Sequence, residues 1–413
     1  MKHSPGTIES KEGPTSGHQT DWQGLGDLVA LVTERLTTPV EGVHHAVSDR
    51  WLGFTGRAKI PLRHLARQFT APVYSMIRFS GVAVGEALDA AASTKLGSTT
   101  MPALWESPRG SGVQSFFNGL WGDELERRNS PLSIAMGVRS GDGHLVATDQ
   151  EGLRRAFPEA KARISVLIHG LGDHERAWRQ EEDTGGSLSD VLASHSFTPV
   201  LIRYNTGRGV SENGFALSTL LEQIDRNWPI PLDEISLVGH SMGGLVARSA
   251  LHAARRAGHS WYRLASHIVT LGSPHLGAPQ EKGVHLASKS LGLIPESRPI
   301  AEFIDQRSDG IKNLRTGEIG DENAGVGDTQ LHFMAGAVSS HSFMSQLGDL
   351  VVPTNSATGR GSRRRVDSSN IRVMRGRNHR ALLHDPEVHT QILSWLGDGS
   401  SGGPIDSPDT EPI

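Results

Sequence analysis

LVGHSMGGLVARSA, Leu237 to Ala250, places one serine, Ser241, between Gly239 and Gly243. An apolar run leads into it after Glu234, and a stretch rich in small residues follows as far as Ala257. The pattern reads as a buried strand that ends at the serine and a helix that begins just after it. The spacing has a steric reason. A strand that turns sharply into a helix brings two backbones together, so the residues two before and two after the turn must lack bulk. The serine then points out of the sheet edge at a helix N-terminus, where free N–H groups and the helix dipole favour a developing anion. In that context Gly-x-Ser-x-Gly is a nucleophile elbow; the bland alternative is a glycine-rich turn that only lets strand and helix pack closely.

A serine hydroxyl is a weak nucleophile until a base takes its proton, and the base needs an acid to orient it. Downstream, Asp349 lies in GDLVVP, a short loop after the predicted strand Leu331–Val338. His379 follows the predicted strand Ile371–Gly376, just before a helix for which Asp385 is the N-cap and Pro386 the first residue. These two are the first choices. His384, beside that cap, is the alternative base, and His389 is expected on the surface of the helix. Asp328 and Asp385 are the alternative acids.

An oxyanion needs two backbone N–H donors. Met242 follows the nucleophile and supplies one. VLIHGLGD supplies the other: the strand Ile164–Gly170 ends in His-Gly, leaving Leu171 free to present its N–H. His169 is read as holding this loop rather than as a second base.

Working outward, short apolar strands are expected at ISVLIHG (Ile164), TPVLIRYNTG (Thr198), EISLVGHS (Glu234), HIVTLGSP (His267), LHFMAGAV (Leu331) and IRVMRG (Ile371), most of them continuous apolar runs. Unbroken runs of this length mark strands buried on both faces of a parallel sheet. Helical stretches, notably Ser211–Trp228 and Met242–Ala257, lie between them, so the fold class is a doubly wound α/β domain. LSIAMGVRS and HLVAT, joined by Gly-Asp-Gly, predict a hairpin ahead of these strands.

The division expected is a disordered 1–20, a helical N-terminal extension at 21–110, an α/β domain at 111–396 and a disordered tail at 397–413. In the extension Leu28, Leu31, Val32 and Leu36 share one helical face. From Pro279 to about Asp328 the chain is too long for one crossover; 281–322 is the candidate lid, with an extra pair of packed helices as the alternative.

Composition narrows the rest. The 413 residues carry 41 Lys and Arg against 45 Asp and Glu, a formal charge of −4, which calls for neither nucleic acid nor an anionic membrane surface. There is no cysteine, which excludes disulfides and thiolate metal sites. The start, MKHSPGTIESKEGPTSGHQT, lacks the apolar core of a secretory signal, and no run is long and apolar enough for a membrane span. A cytoplasmic location is expected.

Taken in order, LIHGLGD, VGHSMGGLVARS, TLGSPHLGAP, GDLVVP and NHRALLHDPEVHTQILSWL resemble the serine esterases and lipases of the α/β-hydrolase superfamily. The likeness runs toward bacterial lipase-like members and PGAP-type deacylases. It implies an α/β-hydrolase fold, a mostly parallel sheet flanked by helices, and acyl transfer by Ser241, Asp349 and His379 with Leu171 and Met242 as oxyanion donors. It implies a small-molecule or lipid ester as substrate and no cofactor or metal. By the same resemblance TLGSPHLGAP lines an acyl pocket with His275 as wall or scaffold, and Ser211 caps the helix after RYNTGRG. Any peripheral lipid contact falls to the N-terminal helices or the lid. Amidase, thioesterase or acyltransferase chemistry runs on the same triad, and a scaffold or a lipid- or granule-binding protein built on a vestigial hydrolase domain is the reading from another class.

Overall fold

The computed structural model describes residues 107–179, 186–277, 308–319, 327–338, 349, 351–361 and 364–397, with isolated helical positions within 24–33. These fall in two compact units. The positions within 24–33, Ser107 and 129–132 belong to the first, where Leu31 is fully buried and Ser130 Oγ accepts the Leu132 N–H at 3.3 Å. Most of the expected N-terminal extension, the tail and the candidate lid as far as 307 lie outside the described residues.

The second unit is built on seven strands: β1 (Gly137–Arg139), β2 (Arg163–Ile168), β3 (Phe197–Arg203), β4 (Glu234–His240), β5 (Ala265–Leu271), β6 (Gln330–Ala337) and β7 (Asn370–Arg375). They lie in the order β1-β3-β2-β4-β5-β6-β7. β1 pairs antiparallel with β3, and every other pairing is parallel.

The apolar runs of the sequence are these parallel strands, and all but the edge strand β7 are buried on both faces. Ile164, Val166, Ile168, Leu237 and Ile268 point into one core with Leu217, Leu221, Leu245 and Leu251. Their neighbours Leu167, Val238, Val269 and Leu271 point into the other with Leu188, Leu192, Val388 and Ile392. The alternation follows from the two-residue period of a strand, and each such side chain contributes about 1.5–3 kcal/mol by leaving water. The first core is covered by α4 (Val210–Asn227) and α5 (Met242–Ala257), the second by α3 (Leu188–Ser194) and α8 (Pro386–Trp395).

Four local readings change. The unit opens not on strands but on α1 (Pro108–Arg127), broken at Trp121. Glycine-rich and weakly patterned, α1 is held by tertiary bonds: Asn118 Oδ1 accepts the Ile134 N–H at 3.0 Å, and Asn205 Nδ2 donates to the Gly122 carbonyl at 2.8 Å. The Gly-Asp-Gly turn does close, but its second arm is a single bridge, Arg139 to Leu145, because β1 spends its other edge on β3. Ser211 is not the cap of α4. Gly209 occupies that position, and the Val210 N–H donates instead to Asn313 Oδ1 at 2.9 Å. Asn313 belongs to α6 (Asp309–Thr316), which packs as part of the body: Ser308 Oγ donates to the Gly119 carbonyl at 2.6 Å, and Ile311 and Leu314 are buried.

Candidate active site

β4 delivers Ser241 to the carboxyl edge of the sheet. Its backbone sits at φ 53°, ψ −121°, one of two described non-glycine residues with positive φ, and its N–H donates to the Leu271 carbonyl at 2.8 Å. The glycines behave as their spacing requires: a β-carbon on Gly243 would lie 2.1 Å from the Ile168 carbonyl oxygen, and one on Gly239 would lie 2.4 Å from the Gly244 nitrogen. α5 starts at Met242, so the Met242 N–H is one of the donors at a helix start that have no acceptor within the helix.

Across the edge, Asp349 and His379 meet. His379 Nδ1 lies 2.6 Å from Asp349 Oδ2, and the His379 N–H donates to the Asp349 carbonyl at 3.2 Å. The other carboxylate oxygen, Oδ1, accepts the Val351 and Val352 N–H groups at 3.0 and 2.7 Å. The carboxylate is buried and every bond it makes is to a donor, so it stays an acceptor and fixes the proton of His379 on Nδ1. Nε2 of the ring then carries the lone pair. No hydrogen bond joins Ser241 Oγ to His379 among the described residues. His240, which precedes Ser241 in the chain, lies against His379, with 4.6 Å between their ring centroids.

The loop after β2 approaches from the other side. A β-carbon on Gly170 would lie 3.1 Å from Ser241 Cβ. The Gly172 N–H is taken by Thr206 Oγ1 at 3.0 Å and the Asp173 N–H by the Gly170 carbonyl at 3.2 Å. Among the described residues the Leu171 N–H meets no protein acceptor. His169 pins the base of this loop: its Nδ1 is 2.9 Å from the Gly170 carbonyl, its Nε2 3.4 Å from the Tyr204 N–H, and its ring stacks on Tyr204. Burial lowers it to about 4, so it stays a neutral pin.

The rival residues go elsewhere. His384 hydrogen-bonds no carboxylate, and its Nδ1 is buried without a partner. His389 is not on the surface: it is buried and 2.9 Å from the Leu383 carbonyl through Nε2, because that face of α8 turns back onto its own lead-in. Asp385 caps α8 through the Glu387 N–H and pairs with Arg377. Asp328 precedes β6, at the opposite edge of a parallel sheet. His275 is buried against Phe333, with Arg248 Nη1 and Thr270 Oγ1 each at 3.0 Å from its ring nitrogens. His240 is the residue that sequence reasoning passed over, although it stands inside the motif.

A family model, the PGAP1-like alpha/beta domain, matches residues 214–339, from α4 through the elbow to the end of β6. The fold is that of the α/β-hydrolases, a mostly parallel seven-stranded sheet flanked by helices. The sheet carries the serine elbow on a central strand, here β4. Among solved structures it is similar to a Bacillus licheniformis lipase in its mature form, at 18% identity and a TM-score of 0.41 over 58% of this chain and 92% of that one. It is similar to a Pyrococcus furiosus esterase at 14% identity, TM-score 0.37, over 63% and 88%. It is also similar to a thioesterase of prodiginine biosynthesis from Streptomyces coelicolor at 16% identity, TM-score 0.35, over 59% and 92%. No curated protein matches the chain by sequence. Among the described residues no group of three or more His, Asp or Glu side chains is arranged to hold a metal ion, and no helix is long and apolar enough to cross a membrane.

Proposed function

We propose that the protein is a serine hydrolase of carboxylic esters. The observation that carries the reading is the 2.6 Å bond between His379 Nδ1 and Asp349 Oδ2 beside a serine held at positive φ. Ser241 Oγ attacks the ester carbonyl while His379 Nε2 takes its proton, and Asp349 stabilises the imidazolium that forms. The carbonyl oxygen, now anionic, accepts hydrogen bonds from the Leu171 and Met242 N–H groups; one such donor is worth about 3 kcal/mol in the transition state. The C–O bond breaks as His379 returns the proton to the departing alcohol. Water, deprotonated by the same imidazole, then attacks the acyl-serine and releases the acid.

The test is turnover of p-nitrophenyl esters from acetate to palmitate by the wild type, Ser241→Ala and Asp349→Asn, with fluorophosphonate labelling located by mass spectrometry. Wild-type turnover, a label on Ser241, loss of both in Ser241→Ala, and a drop in kcat of about 10⁴ in Asp349→Asn are expected. A folded wild type that neither turns over an ester nor takes the label refutes the assignment.

A further inference from the structure

Nothing in the mechanism above uses the side chain that precedes the nucleophile. His240 is the last residue of β4 and is 5% exposed. Its Nε2 lies 3.0 Å from the backbone oxygen of His379. A carbonyl oxygen can only accept, so Nε2 carries the proton and Nδ1 is bare. Nδ1 is buried without a partner, which a bare nitrogen tolerates better than an N–H would. The two imidazoles also lie against each other, 4.6 Å between centroids and inclined by 47°. Burial, then the charge of His379, holds His240 well below the ordinary histidine range, so it stays neutral while its neighbour gains and loses a proton.

The location of these contacts gives them their meaning. The other hydrogen bonds of His379, through its N–H and its Nδ1, both go to Asp349. They tie base to acid and make no hydrogen bond to the strand that carries the serine. His240 supplies the missing tie, because it bonds the base and is joined by one peptide unit to Ser241.

We propose that His240 is a positioning residue: its Nε2–H holds the His379 carbonyl and its ring sets the tilt of the His379 imidazole, fixing the acid–base pair to the strand that carries the nucleophile. The proposal rests on the serine-hydrolase reading.

Two variants separate the roles. His240→Phe keeps a ring against His379 and removes the donor. His240→Gln replaces the ring but sets an amide N–H where Nε2 was. Each is compared with wild type for kcat and KM on p-nitrophenyl butyrate per fluorophosphonate-titrated site, for thermal stability, and for the imidazole Nδ1 proton resonance of His379. The expected result is a loss in kcat for His240→Phe approaching 10²-fold, about the cost of a 1 Å misplacement, with KM unchanged. His240→Gln recovers most of that rate, and the Nδ1 proton resonance moves in the Phe variant only. A merely structural histidine gives lower stability with unchanged kcat per titrated site, which overturns the proposal; so does a Gln variant no faster than Phe. A wild type inert to ester and fluorophosphonate removes the hydrolase reading instead. The resonance still judges the contact in that case, and one unmoved in His240→Phe overturns the tie itself.

Discussion

Gly272 and His379 are in backbone-to-ring contact: a β-carbon on the glycine would lie 2.9 Å from His379 Nδ1, and equally 2.9 Å from Asp349 Oδ2. The loop after β5 thus forms the floor under the bond between His379 and Asp349. Gly272 is held there by its N–H to the Met334 carbonyl at 2.8 Å and adopts φ +61°.

A methyl group at that point has to part the pair or shift the loop. Gly272→Ala is expected to lower kcat by about 10²–10⁴, the range between a misplaced base and a base without its orienting acid. The positive φ adds about 1–2 kcal/mol of strain, a fall of a few degrees in Tm. Steady-state kinetics beside a melting curve checks both. An alanine variant with wild-type kcat would show that the contact is slack.

Arg203 and Glu175 form a buried bidentate pair, with Nε and Nη2 at 2.6 and 2.5 Å from the two carboxylate oxygens. Burial works to raise the Glu175 carboxyl, and the hydrogen bonds and charge of Arg203 bring it below the usual range. The pair anchors the chain just past Leu171 to the end of β3. Removing one partner strands the other charge in the interior. Glu175→Leu and Arg203→Met are each expected to cost about 3–5 kcal/mol in urea unfolding, and the double variant combining them less than the sum. Additive single effects would contradict this.

His332 and His169 are both buried and both lowered to about 4, by burial first and for His332 also by the nearby His267. The bonds of His332 demand the neutral ring: Nδ1 accepts from Asn370 Nδ2 at 3.1 Å, which leaves Nε2–H to donate to His267 Nδ1, also at 3.1 Å. An unfolded chain binds these protons near pH 6.5 and the folded one only near 4. Stability is therefore full above about pH 6.5 and falls as the pH drops through the window toward 4, by up to about 3 kcal/mol for each ring. Tm followed from pH 8 to 4 should decline across that window, and His332→Phe should decline less steeply. A flat wild-type profile would refute the assignment.

Much of this architecture was legible before any coordinates. Runs such as Ile164–Ile168 and Ile235–Val238 are interrupted only by one small buried serine each, Ser165 and Ser236, because both faces of their strands are buried, and a covered parallel sheet has that signature. The elbow was legible because its glycines are a steric requirement. Asp349 and His379 were the first choices of acid and base, and the structure brings them to 2.6 Å. What escaped depended on partners far along the chain. The helix start at Val210 is capped by Asn313, which no local pattern announces. His389 looked like a surface residue because burial of a polar ring depends on an acceptor, here the Leu383 carbonyl, that the helical period does not encode. α1 lacks a clean apolar stripe and is held by Asn118, Asn205 and Ser308 instead. His240 was in plain view, but its significance lies in a carbonyl far away in the sequence.

The backbone at Ser241 has a consequence for how such a protein changes over generations. A residue with a β-carbon held at φ 53°, ψ −121° raises the folded state by about 1–3 kcal/mol, and glycine alone among the twenty would relax it. Replacing the serine with alanine silences the hydroxyl without relieving that tension; replacing it with glycine does both. Selection for heat resistance alone would therefore pull this position away from serine. A serine here sets the proposed chemistry against robustness at a single residue, and a chain with no use for the hydroxyl would gain a sturdier fold by giving it up.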